Sequence, residues 1–323
     1  MRNAAHTTDT ALVRAVRCSG TGVEVAEVGA PSGAGVRVRV RSAGICGSDL
    51  EMVRLGLAAV TIGHEVAGEL DDGTAVAVHP FSACGECDEC RSGRSHLCRS
   101  VVASMLGAGI DGGMSDEVIV APGMIVPLPD GVATGDASLV EPLAVALHAC
   151  NRCGITAGMR VGVIGAGTIG LLCAAVARDL GAEVTITARH AHQARAAETL
   201  GATVGEGRDC DVVIDAAGSA SAFAEATARC RRAGTLVLAA TTWEPIEVSF
   251  FRAQMREIMI VPAFVYGEAH GEREFVTAAR ILGEHPEIPG ALITHRFGLD
   301  EATRAFAVAA DRAAGAIKVV LHP

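Results

Sequence analysis

The chain has 323 residues, of which 27 are basic and 37 are acidic, so its net charge is −10. A negatively charged protein repels phosphate backbones, which argues against a nucleic-acid-binding protein. Half of the residues are apolar, enough for the cores of about two domains of roughly 150 residues each. The sequence has neither a signal-peptide pattern nor an apolar run of membrane-spanning length. We therefore expect a cytoplasmic protein with no membrane partner.

The chain divides into two regions with different patterns of apolar residues. From Val13 to about Pro129, short valine-rich runs alternate with glycine and proline, which predicts antiparallel β-structure. After Glu141, brief apolar runs alternate with helical stretches, which predicts a parallel sheet covered by helices on both faces. One such helix is predicted from Thr168 to Leu180, with Gly181 as its C-terminal cap. From Ile293 onward the sequence no longer alternates apolar runs with helical stretches. This segment is expected to belong to the same domain as the first region.

Four of the eleven cysteines are clustered in CGECDECRSGRSHLC, namely Cys84, Cys87, Cys90 and Cys98. A chain without an export signal is expected in a reducing compartment, where thiolates bind metal or pack more often than they form disulfides. Four soft thiolates within 15 residues suit tetrahedral zinc with no open coordination position. The spacing therefore predicts a structural zinc ion, and free surface thiols are the less favoured alternative.

A second set of candidate ligands is more dispersed. Cys46 lies in GICGSD, and His64 and Glu65 lie in GHE. A thiolate, an imidazole and a carboxylate could form a three-ligand zinc site whose fourth position accepts water or substrate. On residue types alone the signal is weak, because a single cysteine or histidine is more often part of an ordinary core.

The motif GAGTIG at positions 165–170 follows the strand-like run RVGVI and opens the predicted helix. In a dinucleotide-binding fold, Gly165 makes the tight turn, Gly167 lets the backbone approach the pyrophosphate, and Gly170 permits close helix-to-strand packing. The helix N-terminus, with Thr168 and Ile169, then faces the phosphates. The agreement of strand, motif and helix predicts dinucleotide binding.

The end of the next strand, VTITARHAHQAR, bears on the choice of coenzyme. NAD enzymes normally carry Asp or Glu there for the ribose 2′-hydroxyl, whereas this chain has Thr187 and Ala188. Arg189 and His190 could instead bind a 2′-phosphate, Arg189 through its planar guanidinium. This favours NADP over NAD, although Arg189 could also be an ordinary solvated arginine.

Taken together, GICGSD, GHE, the four-cysteine cluster, VEPLAVALHA, GAGTIG and ITHRF resemble the zinc-dependent medium-chain alcohol and polyol dehydrogenases, in particular the branch similar to sorbitol and threonine dehydrogenases. The resemblance implies an α/β protein with a GroES-like, β-rich catalytic domain at residues 1–150 that contains the structural zinc cluster. It further implies a Rossmann NAD(P)-binding domain at 151–290, a return to the catalytic domain at 291–323, and an active site in the cleft between them. Two zinc ions per chain and a homodimer or homotetramer are expected.

The resemblance also implies individual roles. Cys46 and His64 are expected to bind the catalytic zinc, with Glu65 and Glu141 at or near it. Which of the two carboxylates touches the metal stays open. Ser48 matches the hydroxyl that relays the alcohol proton. Asp49 is either the hydrogen-bond partner of His64 or a loop-capping aspartate.

Three features depart from the family pattern: one bears on the proton relay, one on the substrate-facing loops, and the last makes a plain sorbitol assignment weak. Many relatives carry histidine at the position of Glu51, so either Glu51 is the outer proton acceptor or the relay leaves elsewhere. Only 17 residues separate Cys46 and His64, and the segment after GHE is short. PAFVYG places Val265 where sorbitol dehydrogenases have a substrate-binding arginine.

The sequence thus predicts an NADP-preferring oxidoreductase that interconverts a secondary alcohol and its ketone, on a polyol, cyclitol, aminocyclitol or sugar derivative. Two alternatives remain, a zinc-assisted biosynthetic carbonyl reductase and a relative that binds coenzyme but has lost activity. His148 and the cysteines at 150, 153 and 173 are expected to pack within the protein core rather than to act in chemistry.

Overall fold

The computed structural model describes residues 11–20 and 22–323. Its strands are β1 (Leu12–Ser19), β2 (Gly22–Gly29), β3 (Val36–Gly44), β4 (Glu65–Glu69), β5 (Ala75–Val78), β6 (Glu117–Val120), β7 (Ile125–Pro127), β8 (Arg160–Ile164), β9 (Glu183–Thr187), β10 (Thr203–Val204), β11 (Cys210–Asp215), β12 (Cys230–Leu238), β13 (Met259–Pro262), β14 (Glu268–Ala269), β15 (Glu272–Arg273), β16 (Ile293–Gly298) and β17 (Lys318–His322).

The helices are α1 (Gly47–Arg54), α2 (Asp88–Arg91), α3 (Val140–Arg152), α4 (Thr168–Asp179), α5 (Ala191–Thr199), α6 (Ala220–Arg229), α7 (Phe251–Met255), α8 (Glu274–Glu284), α9 (Glu287–Leu292) and α10 (Ala302–Ala310). Within the described part of the chain, every helix falls short of the length and apolarity that crossing a membrane requires.

The first large sheet has seven strands in the order β16-β17-β3-β4-β5-β7, with β6 also paired to β3. All of its pairs are antiparallel except β16 with β17. In β3 the alternation of valine and arginine buries Val38 and Val40 and directs the arginines outward, because successive side chains of a strand face opposite sides. The predicted antiparallel region is confirmed, and the C-terminal strands β16 and β17 join it at β3.

The second large sheet has six parallel strands in the order β10-β9-β8-β11-β12-β13. The parallel pairing predicted from the apolar runs after Glu141 is therefore confirmed. Helix α4 follows β8, and its buried face includes Leu171, Leu172 and Val176. The helix ends where Gly181 adopts φ +83°, as its predicted capping role requires. The order reverses between β8 and β11, which places the ends of both strands beside a crevice.

Helix α3 connects the two sheets and is itself almost entirely buried. Pro142 lies in its first turn, where a missing N–H leaves no hydrogen bond unmade. The helix ends before Gly154, whose φ of +62° suits a left-handed cap. Helix α3 packs against both α4 and α8. It thereby fixes Glu141, at its N-terminus, between the two sheets.

Candidate active site

Three of the predicted zinc ligands come together where α1 meets β4. Cys46 precedes the first residue of α1, His64 precedes β4, and Glu65 is its first residue. One ligand atom from each lies within 4.8 Å of the other two. Among the described residues this group does not include Glu141. A sulfur, a nitrogen and a carboxylate oxygen form a donor set that suits zinc.

Asp49 supports two members of this group at once. Its Oδ2 accepts the backbone N–H of Cys46 at 2.9 Å, and its Oδ1 lies 3.2 Å from Nδ1 of His64. Asp49 thus has both of the roles considered for it, loop cap and histidine partner. Burial alone would lower the pKa of His64, but the negative charges of Asp49 and Cys46 outweigh it and raise that pKa. The same negative surroundings favour a bound cation.

Glu65 is held by a residue that the sequence analysis did not single out. Nζ of Lys318 donates hydrogen bonds to both carboxylate oxygens of Glu65 at 2.7 Å and to the carbonyl of Ile45 at 3.0 Å. Both side chains are buried. Gly44 allows this packing, because a Cβ there would lie 1.9 Å from Oε2 of Glu65. The available signal was that Lys318 is the only lysine in a chain whose other basic residues are arginines.

Glu141 and Tyr266 lie beside the donor group. Burial raises the pKa of Glu141 to about 7, with Glu65 adding to the effect and His64 and Lys318 opposing it. The Tyr266 hydroxyl is buried next to Glu141, close enough to interact with its carboxyl group, although no hydrogen bond of ideal geometry forms among the described residues. Burial and the nearby charge of Glu141 hold its pKa well above the usual value. An uncharged hydroxyl thus lies next to a carboxyl group that can hold a proton near neutral pH.

The two residues predicted for proton relay lie on α1 in different settings. Oγ of Ser48 is 3.4 Å from Nε2 of His64, so this hydroxyl borders the donor group. Glu51 instead forms a surface ion pair, with its carboxylate 2.7 Å from Nε of Arg54. Nη2 of Arg54 also donates a hydrogen bond to Oε1 of Glu244 at 2.9 Å.

The four-cysteine cluster also converges. Sulfur atoms of neighbouring cysteines are 3.4 to 3.9 Å apart, close to the edge of about 3.8 Å expected for a tetrahedron with Zn–S bonds of about 2.3 Å. Three backbone N–H groups point at the sulfurs, those of Cys84, Cys87 and Ser100, each 3.4 Å from its acceptor. Such donors stabilise thiolates, so the residues present fit a zinc ion.

The glycine motif has the geometry of a dinucleotide-binding turn. Gly165 directly follows β8 and has φ +98°, and a Cβ at Gly170 would lie 1.8 Å from the Gly165 carbonyl oxygen. Space above Gly167 is open, with no atom within 4 Å of a Cβ placed there. Thr168 donates its hydroxyl to the carbonyl of Ile317 at 2.8 Å. Ile169 is half-buried against the core.

Arg189 and His190 lie just beyond β9, at the rim of the same crevice, and both are exposed. The guanidinium of Arg189 has no ion-pair partner among the residues that the structure describes. The ring of His190 stacks on that of His192 with centroids 5.5 Å apart. Arg189 is therefore free to bind a phosphate, and Thr187 and Ala188 supply no carboxylate that would repel one.

Comparison with known proteins places these features in a family. Residues 32–130 match the model of the alcohol dehydrogenase GroES-like domain, and residues 160–204 match that of the pyridine nucleotide-disulphide oxidoreductases. L-galactonate-5-dehydrogenase of Escherichia coli is 30% identical over 292 residues, covering 80% of this chain and 83% of that protein. Sorbitol dehydrogenase of Bombyx mori is 30% identical over 325 residues, covering 89% and 91%.

Solved structures agree with this placement. A protein of Sinorhizobium meliloti described as a candidate zinc-binding dehydrogenase, solved with NADP bound, superposes with a TM-score of 0.84. It is 29% identical, and the match covers 97% of this chain and 100% of that one. The resemblance expected from the motifs is therefore confirmed. The chain belongs to the zinc-type medium-chain polyol dehydrogenases, which are alcohol dehydrogenases built from a GroES-like domain and a Rossmann domain.

Proposed function

We propose that the protein is an NADP-preferring, zinc-dependent dehydrogenase that interconverts a secondary alcohol and its ketone on a polyol, cyclitol, aminocyclitol or sugar derivative. The observation that carries the proposal is the convergence of Cys46, His64 and Glu65 beside the buried pair Glu141 and Tyr266. The relatives named for L-galactonate and sorbitol support a polyhydroxylated substrate. Val265, which lacks a charge, makes sorbitol itself a less favoured substrate.

We further propose two zinc ions per chain, one at each cysteine-containing group. A zinc ion at the Cys46 group supplies Lewis-acid chemistry, which makes an alcohol more acidic and a carbonyl more electrophilic. Cys46 and His64 are the proposed protein ligands there, with a carboxylate from Glu65 or Glu141 at or near the ion. The ion pair with Lys318 holds Glu65 in place, which favours Glu141 as the carboxyl group closer to substrate.

Residues on α1 and next to it then transfer the alcohol proton to solvent. The hydroxyl of Ser48, beside His64, relays the proton that leaves the alcohol, accepting it while passing its own hydroxyl proton on toward solvent. Asp49 keeps the imidazole of His64 in one orientation through Nδ1. Glu51 is the proposed outer acceptor, reached at the surface where it pairs with Arg54. In the reducing direction the same groups deliver the proton.

Coenzyme binding is assigned to the glycine turn and the rim beyond β9. The N-terminus of α4, with Gly165, Gly167 and Gly170, would hold the pyrophosphate. Arg189 and His190 would bind the 2′-phosphate that distinguishes NADP from NAD. The NADP-bound neighbour supports this assignment.

A substrate screen tests the proposal most directly. Secondary alcohols, polyols, cyclitols and sugar acids, together with their ketones, are assayed with NADP and NAD side by side and the zinc content is measured. We expect two zinc ions per chain, turnover with NADP, and loss of about 100-fold or more in turnover for Cys46→Ser. Retention of one zinc ion and no turnover of any compound would favour the inactive relative, and a strong NAD preference would contradict the role of Arg189.

We also propose that the protein is a homodimer or homotetramer. Strand β13 is an edge of the parallel sheet and carries Met259 with 64% of its surface exposed. Phe251 and Met255 of the preceding helix are 69% and 62% exposed. An exposed apolar sheet edge favours association with a second copy. Light scattering on the purified protein gives the mass that tests this.

A further inference from the structure

Glu274 is a buried carboxylate that lies outside the proposed zinc ligands and links the segment of Tyr266 to the helix of Glu141. We propose that Glu274 is a positioning residue, which fixes the Tyr266 side chain against Glu141 and thereby sets one wall of the active site. The inference deepens the proposed function and rests on it only for the consequence in catalysis. The positioning itself can be observed without any turnover.

Glu274 closes the segment that follows Tyr266 with two hydrogen bonds. Its Oε2 accepts the backbone N–H of Gly267 at 2.7 Å, and its own backbone N–H donates to the Gly267 carbonyl at 2.9 Å. Between these residues the chain forms the short hairpin of β14 and β15. The hairpin is thus fastened at its base, directly after Tyr266.

The same carboxylate is bonded to the helix that begins at Glu141. Nδ1 of His148 lies 2.7 Å from Oε2 of Glu274, and Nδ2 of Asn151 donates to Oε1 at 2.8 Å. His148 follows Glu141 by seven residues, two turns of α3, so both side chains are on the same face of the helix. One carboxylate therefore fixes the Glu141 helix and the Tyr266 segment relative to each other.

The Tyr266 segment needs such support because its backbone is strained. Val265 has φ +45°, a left-handed conformation that β-branched residues rarely adopt because it is sterically strained. Such a conformation persists only where the surroundings impose it. The two hydrogen bonds between Glu274 and Gly267 lie two residues after Val265, directly after Tyr266. They can therefore hold Val265 in its left-handed conformation.

Packing completes the position of the ring and leaves its hydroxyl beside Glu141, without a hydrogen bond of ideal geometry among the described residues. The Tyr266 ring contacts Phe275, the residue after Glu274, and His79, with ring centroids 5.4 and 5.3 Å apart. A Cβ at Gly267 would lie 2.4 Å from Nδ1 of His96, so any larger residue there would have to displace the His96 ring. The Tyr266 hydroxyl therefore keeps its place beside Glu141 through the packing of its ring and through the backbone that Glu274 holds.

Glu274 can be changed in two informative ways. Glu274→Gln keeps all three side-chain contacts, because its oxygen accepts from His148 and Gly267 while its amide donates to a flipped Asn151. Glu274→Ala removes them. Glu272→Ala is the matched control, since Glu272 lies on the same hairpin and its side chain hydrogen-bonds only with Thr277 among the described residues.

The sequence offers a direct probe, because Tyr266 is its only tyrosine. Protein expressed with 3-fluorotyrosine therefore carries the ¹⁹F label only on the ring of Tyr266. We expect the signal of the zinc-loaded protein to shift and broaden in Glu274→Ala and to stay near its parent position in Glu274→Gln and Glu272→Ala. An unchanged signal in folded Glu274→Ala, with its thermal midpoint as the check on folding, would overturn the proposal.

Kinetics test the consequence for catalysis. Misplacing a contacting group by about 1 Å can reduce turnover about 100-fold, so we expect kcat/KM for the alcohol to fall by about 10- to 100-fold in Glu274→Ala. The dissociation constant for NADP should stay unchanged in Glu274→Ala. The Glu274→Gln variant should keep most of the parent kcat/KM. In a Tyr266→Leu background, which lacks both the ring and the hydroxyl, the loss should shrink to about twofold or less.

Equal losses in both backgrounds would mean that Glu274 acts other than through Tyr266. If the parent protein turns over no compound of the screen, the proposed function fails, while the ¹⁹F result still decides whether Glu274 positions Tyr266.

Discussion

Asp49 bridges the backbone of Cys46 and the imidazole of His64 with its two carboxylate oxygens, and its side chain is completely buried. An aspartate can accept from both N–H groups, whereas an asparagine can accept from only one and turns an N–H toward the other. Outer partners of metal-binding histidines typically contribute 10- to 100-fold in metal affinity.

We therefore expect Asp49→Asn to weaken zinc binding at the Cys46 group by about 10- to 100-fold and to leave the four-cysteine zinc in place. Competition with a colorimetric chelator, followed by metal analysis, measures both sites. Equal loss at the two sites would indicate general unfolding rather than a local effect on His64.

The pair of Lys318 and Glu65 gives a prediction about stability. Removing one member of a buried ion pair leaves the other charge uncompensated, at a cost of about 3–5 kcal/mol. We expect Lys318→Met to lower the free energy of unfolding by about that amount, measured by urea unfolding at fixed zinc and protein concentrations. The double variant Lys318→Met/Glu65→Gln should recover a large part of the loss. An unchanged urea midpoint in the single variant would contradict a structural role for the pair.

Coenzyme choice is testable at the rim beyond β9. Hydrogen bonds to charged groups contribute about 1.5–3 kcal/mol, which corresponds to about 10- to 100-fold in binding. We expect Arg189→Ala to raise the dissociation constant for NADP by that factor and to change the value for NAD by less than about twofold. Arg195→Ala, an exposed arginine on the following helix, is the matched control. If both coenzymes weaken equally, Arg189 does not contact the 2′-phosphate.

His79 makes stability depend on pH. Burial lowers its pKa to about 4, with the nearby positive charge of Arg273 contributing, whereas an unfolded histidine titrates near 6.5. Below about pH 6.5 the unfolded chain therefore binds a proton that the folded protein refuses until about pH 4. The folded state should lose up to about 3 kcal/mol from this group as the pH falls through that window.

Urea unfolding of the parent and of His79→Asn across pH 4 to 6.5 measures this contribution. Asparagine can keep the hydrogen bond to the Phe81 carbonyl, so the variant should be less stable near pH 7 but should have a shallower pH slope. His270→Asn, at an exposed site, should keep the parent slope. Parallel slopes for parent and His79→Asn would exclude His79 as the source.

Features that depend on neighbouring residues were predictable from the sequence. The four thiolates lie within one short segment, so their convergence required no knowledge of the fold. The glycine turn and α4 are likewise local, and the predicted helix and its Gly181 cap are confirmed. His148 is buried on α3, which confirms its expected packing.

Contacts between distant parts of the chain were not predictable in this way. Lys318 meets Glu65 across 253 positions, and His148 meets Glu274 across 126, and neither pair has a local pattern. The strained backbone at Val265 is equally hidden, because a β-branched residue normally predicts an extended conformation. The ion pair between Glu51 and Arg54 is different, because the two residues are only three positions apart on α1. It does not test whether Glu51 accepts a proton, so the relay role of Glu51 stays a prediction.

The burial of the chain's only lysine has a consequence for protein chemistry. With 3% of Lys318 exposed, reagents that acylate lysine amines have no accessible lysine to modify in the folded protein. Only opening of the C-terminal strand would present the amine. The rate of acylation at position 318, followed by mass spectrometry, would therefore report the unfolding of this part of the protein.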